Sequence, residues 1–189
     1  MTLLLLGLVT FIILHLIPYW GKGVRAGAVN IIGAGPYKGL FALATLGSFV
    51  MMVMGWKAAE VIMQYNAPAW GVHLTPLFVL AGFILFVASS APTNIRRMVR
   101  HPQLLGVALW GIGHLLSNGE NRSILLFAGM AIYCVLAMIG SNQRDGEWVK
   151  REKVSIVKDI ITVVVSLVIY AVFFMFHQTI IGVSPMPQG

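Results

Sequence analysis

Long apolar runs separated by short polar segments make up most of the chain. They cover residues 3–20, 40–56, 73–91, 103–118, 124–141 and 160–183. A helix needs ~20 apolar residues to cross the hydrocarbon layer of a bilayer, so the pattern predicts six transmembrane helices. The fourth run is the shortest and the richest in glycine, and its ends are the least sharply marked. The expected fold class is all-α, a polytopic membrane helical bundle forming one transmembrane domain over residues 1–189. The triplet AGA at 26–28 resembles a signal-peptidase site. However, the first run lacks a basic leader and is too long for a signal peptide, so it is expected to be a retained helix.

Composition agrees with this pattern. Hydrophobic residues make up 58% of the chain and charged residues only 10%, with a mean hydropathy of +0.86; a soluble domain averages about 25% charged residues. The net charge of +7 does not indicate nucleic acid, because the basic residues flank the apolar runs and no recognition module is present. The first, third and fifth loops hold Lys22, Arg25 and Lys38, then Arg96, Arg97 and Arg100, then Arg144, Lys150, Arg151, Lys153 and Lys158. That is eleven of the thirteen Lys and Arg residues, leaving Lys57 and Arg122 on the opposite side. Basic loops stay cytoplasmic, so both termini are expected on the periplasmic face of a bacterial inner membrane.

The first loop, GKGVRAGAVNIIGAGPYKG, contains a G-x-G-x-x-A match at 21–26. It follows a membrane helix rather than a strand, so nucleotide binding is discarded in favour of a flexible or re-entrant loop. Cys134 is the sole cysteine, which excludes an internal disulfide and a thiolate cluster. Its apolar surroundings suggest an inert buried thiol. The final SPMPQG reads as a frayed end.

Ionisable residues inside a membrane are rare and often functional, so the five histidines are the candidates for chemistry. His101 and His114 lie on the fourth span, thirteen residues and ~20 Å apart along a helix, and cannot share one metal. His101 precedes Pro102, which suits a first helical turn, and joins Arg96, Arg97 and Arg100 in a basic rim. That rim could anchor lipid phosphates or receive an anionic group of a substrate or cofactor. His114 falls ~16 Å along its helix, near the expected midplane. Gly106, Gly111 and Gly113 strip side chains from this helix, giving either close packing or room for a flat ligand. His15, with Phe11 and Tyr19 on its face and Pro18 loosening the helix end, lies within ~10 Å of His114 in estimated depth. A haem between two imidazoles is allowed by that spacing, although a bundle with five histidines offers several pairs. His73 and His177 fall toward the outer face.

The stretches HLIPYW at 15–20, RHPQLLGVALWGIGHLLSNGE at 100–120 and QRDGEWVKR at 143–151 resemble the NnrU family of bacterial membrane proteins. That resemblance implies a role linked to denitrification and nitric-oxide metabolism. A related branch, the plant and cyanobacterial 15-cis-ζ-carotene isomerases, is similar over the same core. It implies haem b bound through two histidines, an apolar carotenoid- or isoprenoid-like substrate, a redox partner and the lipid bilayer as surroundings. By position the ligands would be His15 and His114, with Arg100 and His101 as further candidates near a cofactor. The isomerases also carry a cysteine close before the second ligand, where WGIGH has Gly111.

Two other readings remain. RHPQLLG also resembles the R-H-P motif of membrane methyltransferases that use S-adenosylmethionine, with Arg100 and His101 holding the cofactor carboxylate and Glu147 contributing. Alternatively, the chain is a non-enzymatic accessory protein of a redox complex, its histidines structural. Glu60, Glu120, Asp145, Glu147, Glu152 and Asp159 sit in loops or at helix edges, where solvation or pairing with basic neighbours is the default.

Overall fold

A computed structural model describes residues 1–185, and the described chain is all-helical. The helices in order are α1 (Thr2–Trp20), α2 (Lys22–Ile32), α3 (Ala34–Ala58), α4 (Gly71–Ser90), α5 (Ile95–Met98), α6 (Pro102–Leu115), α7 (Asn121–Ser123), α8 (Gly129–Asp145) and α9 (Ile156–Ile181). A π-helical turn at Ile124–Ala128 joins α7 to α8 without a break. Met63 and Glu120 form an isolated antiparallel bridge. Residues 186–189, most of the tail expected to fray, lie outside the described residues.

Five helical stretches are long and apolar enough to cross a membrane: Thr2–Trp20, Ala34–Ala58, Gly71–Ser90, Asn121–Asp145 and Ile156–Ile181. The protein is a membrane protein, and the apolar side chains exposed along these helices suit contact with lipid. The remaining expected span, 103–118, forms the 14-residue α6, which starts at Pro102 and ends in a turn at Leu116.

The glycine-rich first loop is a correction to the sequence reading. Most of it is helical, as α2, rather than a flexible or re-entrant loop. Val24, Ala28, Ile31 and Ile32 recur at helical spacing on one face, with Lys22 and Asn30 opposite, and Val24 and Ile31 are 71% and 85% exposed. This is the pattern of a helix lying in the membrane interface. Short apolar and basic side chains favour the helix despite Gly23 and Gly27, and Gly33, at φ +86°, breaks it before α3.

The chain folds as two compact units. Residues 1–65 and 119–147 form the first, built on α1, α3 and the α7–α8 segment. Leu4, Leu8 and Met52 are its buried core, packed by Phe11, Ile12, Trp56, Leu125, Leu126 and Met130. Glycine sets the spacing. A methyl group at Gly7 would lie 2.7 Å from the Met52 nitrogen, and one at Gly55 would lie 2.2 Å from the Leu4 nitrogen. These contacts run α3 antiparallel to α1. Gly129 beneath Leu8 and Gly140 beneath Tyr19 run α8 parallel to α1.

The second unit holds residues 66–118 and the segment from Trp148 onward. Here α6 lies antiparallel on α4 with almost no side chain between the backbones. A Cβ on Gly82 would meet the Gly106 carbonyl oxygen at 2.7 Å, one on Gly106 the Gly82 oxygen at 2.6 Å, and one on Gly71 the Leu116 oxygen. The Thr75 hydroxyl lies 2.7 Å from the Gly113 oxygen, 2.9 Å from the Gly71 oxygen and 3.0 Å from Ser117 Oγ. Its single proton goes to one carbonyl, and Ser117 can donate into its oxygen. On α9, Phe83 of α4 meets the rings of Tyr170 and Phe173.

Close approach of this kind makes the glycines intolerant of bulk. Gly106→Val is expected to destabilise the protein by roughly 1–3 kcal/mol, as overpacking does. Gly47→Ala, where a Cβ meets nothing within 4 Å, is expected to be neutral or stabilising. Thermal unfolding in detergent compares the two.

Candidate functional site

In the first unit the site is an aromatic box around His15. Its Nδ1 donates to the Phe11 carbonyl, 2.8 Å away; a carbonyl can only accept, so in the neutral ring Nε2 carries the lone pair. Phe11, one turn earlier, stacks on the imidazole with centroids 3.9 Å apart. Phe41 of α3 tilts against it at 5.5 Å, and Tyr133 of α8 meets it edge-on at 6.0 Å. Tyr133 also meets Phe11 edge-on at 5.7 Å. Phe11 was legible from helical spacing, whereas Phe41 and Tyr133 come from other helices, and no spacing within one helix marks them.

One turn toward the end of α1, two stretches far apart in sequence join. Trp20 Nε1 donates to Gln143 Oε1 at 3.0 Å, and the Arg144 guanidinium lies 5.0 Å from the centre of the Tyr19 ring. Arg144 is itself held by Asp145, with Nε and Nη2 donating at 2.6 and 2.9 Å, and Ser141 donates to the same carboxylate. HLIPYW and QRDGEWVKR thus form one corner beside the His15 box.

In the second unit His114 repeats the local arrangement of His15. Its Nδ1 donates to the Trp110 carbonyl at 2.8 Å, and the Trp110 ring, one turn earlier, sits 5.1 Å from the imidazole. Asn118 Nδ2 donates to the His114 carbonyl at 2.7 Å, capping the end of the helix. Because α6 stops at Leu115, short of the expected end at 118, His114 belongs to its last turn. The alternatives for the glycines are also decided at two positions. Gly106 and Gly113 serve close packing, since a Cβ on Gly113 would lie 2.8 Å from Phe78 Cβ and one on Gly106 would strike Gly82.

His101 caps the start of α6 ahead of Pro102, as expected. The basic rim around it is tied to the start of α9. Asp159 accepts from the Thr93 hydroxyl, from the Asn94 backbone nitrogen at 2.7 Å and from Asn94 Nδ2 at 2.7 Å. Asn94 also exchanges hydrogen bonds with the Val154 backbone, at 2.8 and 3.0 Å. The sequence reading left Asp159 among unassigned acids, and its role depends on partners some sixty residues away. His177 donates from Nδ1 to the Val183 carbonyl, closing the end of α9. Cys134 is a buried free thiol, as expected. Glu147, the acid considered for a methyltransferase site, is exposed. No group of three or more His, Cys, Asp or Glu among the described residues could hold a metal ion by itself.

A family model described as NnrU protein matches residues 3–185, running through both compact units. The chain belongs to the NnrU family. No curated protein and no solved structure gives a significant match. Within this NnrU protein His15 lies in the first unit and His114 in the second.

The Tyr19–Arg144 contact is expected to couple the corner to stability. A double-mutant cycle with Tyr19→Leu and Arg144→Met, read by thermal unfolding, is expected to return about 0.5–1 kcal/mol of coupling, the range for a solvent-accessible cation–π pair.

Proposed function

We propose that this NnrU protein is a six-pass inner-membrane protein in which His15 and His114 would hold haem b. On this reading it works in redox or isomerase-like chemistry on an apolar substrate, linked to nitric-oxide metabolism. The observation that carries the reading is the matched state of the two rings. Each imidazole has Nδ1 engaged by the carbonyl four residues earlier, at 2.8 Å in both cases. That bond selects the tautomer whose Nε2 can bind iron and makes the ring a stronger donor. A porphyrin supplies four nitrogens of its own, so a haem asks the protein for no more than two ligands. Haem, when bound, would supply one-electron chemistry and Lewis acidity.

The residues around each ring do the rest. Phe11, Phe41 and Tyr133 restrict the His15 ring. Asn118 fixes the carbonyl end of the His114 turn, so a movement there would alter the position of that ring. Gly111 stands where the related isomerases carry a cysteine, so a ligand exchange through sulfur at this position has no donor.

A parity argument supports six crossings. In the first unit α3 runs antiparallel and α8 parallel to α1. The chain that leaves α3 must therefore return to the side it left before α8 begins, which takes an even number of crossings. With α4 long and apolar enough to cross, a crossing by α6 would supply the second. Its contacts agree, because Leu116 reaches Gly71, the first residue of α4, while Gly106 lies against Leu85 and Phe86. Six crossings put Lys22, Arg25, Arg96, Arg97, Arg100 and the 144–158 cluster on one side, which basic residues assign to the cytoplasm.

Detergent-purified protein, expressed with ample haem precursor, is expected to show a Soret band that shifts and sharpens on dithionite reduction. The band is expected to vanish in His15→Ala and in His114→Ala but to persist in His73→Ala. A colourless protein, or a band that survives both ligand substitutions, sinks the proposal. S-adenosylmethionine binding by a colourless protein, read by calorimetry, would put methyl transfer in its place.

A further inference from the structure

In the second unit, residues 94–101 and 148–159 carry seven Lys and Arg against Glu152 and Asp159. Asp159, held ionised by the donors of Thr93 and Asn94, offsets one of these charges, and Glu152 at most one more, which leaves the cluster strongly positive. The Asn94 side chain binds the Val154 backbone in both directions. The clamp therefore holds residues 94 and 154 side by side, with Arg96 and Arg97 just beyond one and Arg151 just before the other.

Two observations mark this cluster as more than a solvated charged edge. Arg97 Nε is shut off from solvent with no hydrogen-bond partner among the described residues, a costly state for a charged donor. Partial burial, and then the like charge of Arg151, lower the pKa of Arg96, so the Arg151 guanidinium is near enough to repel that of Arg96. Both features would be relieved by an anion with several acceptor oxygens. The planar guanidinium fork matches a phosphoryl group better than a lysine ammonium does.

We infer that Arg96, Arg97 and Arg151, gathered by the Asn94–Asp159 clamp, form a binding site for a phosphoryl group. The group can come from the headgroup of an anionic lipid or from a soluble phosphate ester. The site uses neither imidazole of the proposed haem pair and stands or falls independently of it.

Thermal unfolding in detergent provides the test. Pyrophosphate and short-chain phosphatidylglycerol are each titrated against sodium chloride of equal ionic strength, with phosphatidylcholine as the lipid control. Stabilisation by phosphatidylglycerol alone assigns the site to a lipid headgroup, and stabilisation by pyrophosphate as well makes it a general phosphoryl site. Arg97→Gln is expected to weaken binding by about tenfold or more, the loss that follows removal of a charged hydrogen bond. Lys22→Gln combined with Arg25→Gln, two exposed charges on α2, should leave binding unchanged. Should Arg97→Gln not fold, Arg97→Lys, which keeps the charge but loses the fork, is expected to bind more weakly than wild type. No stabilisation of wild type by either ligand, wild-type affinity in Arg97→Lys, or an equal loss in the α2 variant would overturn the inference.

Discussion

Helices in a bilayer gain little by hiding apolar surface from each other, because lipid tails are as apolar as leucine. They must instead gain from close packing, and here that closeness rests on glycine. At Gly7 and Gly55 the backbones of α1 and α3 approach within the space of a methyl group, and Gly82, Gly106 and Gly71 do the same for α4 and α6. These contacts fix helix direction as well as distance. The antiparallel α3, the parallel α8 and the antiparallel α6 all follow from which glycine meets which backbone atom, and the ring box around His15 forms only when three helices hold that register.

The same medium explains where the polar groups point. Without water, a hydroxyl must find its acceptor within the protein, and several find it one turn back. Ser166 donates to the Thr162 carbonyl and Thr162 to the Lys158 carbonyl, each at 2.7 Å. Ser48 donates to the Thr45 carbonyl at 2.7 Å. Thr75 is the exception, since its hydroxyl also reaches Gly113 of α6 and Ser117 just beyond its end. It ties the two helices where they touch most closely.

Much of the helical layout was legible because hydrophobic run length is a direct reading of bilayer thickness. Runs one, three, five and six reappear within about four residues of their expected ends, and run two starts six residues early, at Ala34. The fourth was harder, because its expected end at 118 takes in Ser117 and Asn118, where the backbone has already turned at Leu116 and Asn118 caps the His114 carbonyl. Glycine content misled in the first loop. There Val24, Ala28, Ile31 and Ile32 form a helical stripe that outweighs Gly23 and Gly27. Phe11 near His15 was visible as an i−4 neighbour. Phe41, Tyr133 and the Thr93–Asn94–Asp159 clamp were not, because each depends on tertiary register and not on local spacing.

The two imidazoles are the residues for which local and global explanations separate most clearly. A histidine retained only to tie helices together would be expected to direct its ring proton to a neighbouring helix. Both His15 and His114 direct Nδ1 to a carbonyl of their own helix, a bond that adds no link between helices. His177, by contrast, directs Nδ1 six residues onward to Val183 and closes a chain end. The self-directed bond does one thing the others do not: it fixes ring tautomer and orientation from within a single helix, whatever the neighbouring helices do. Two helices from different units would have converged on that arrangement, each with an aromatic residue one turn before the histidine.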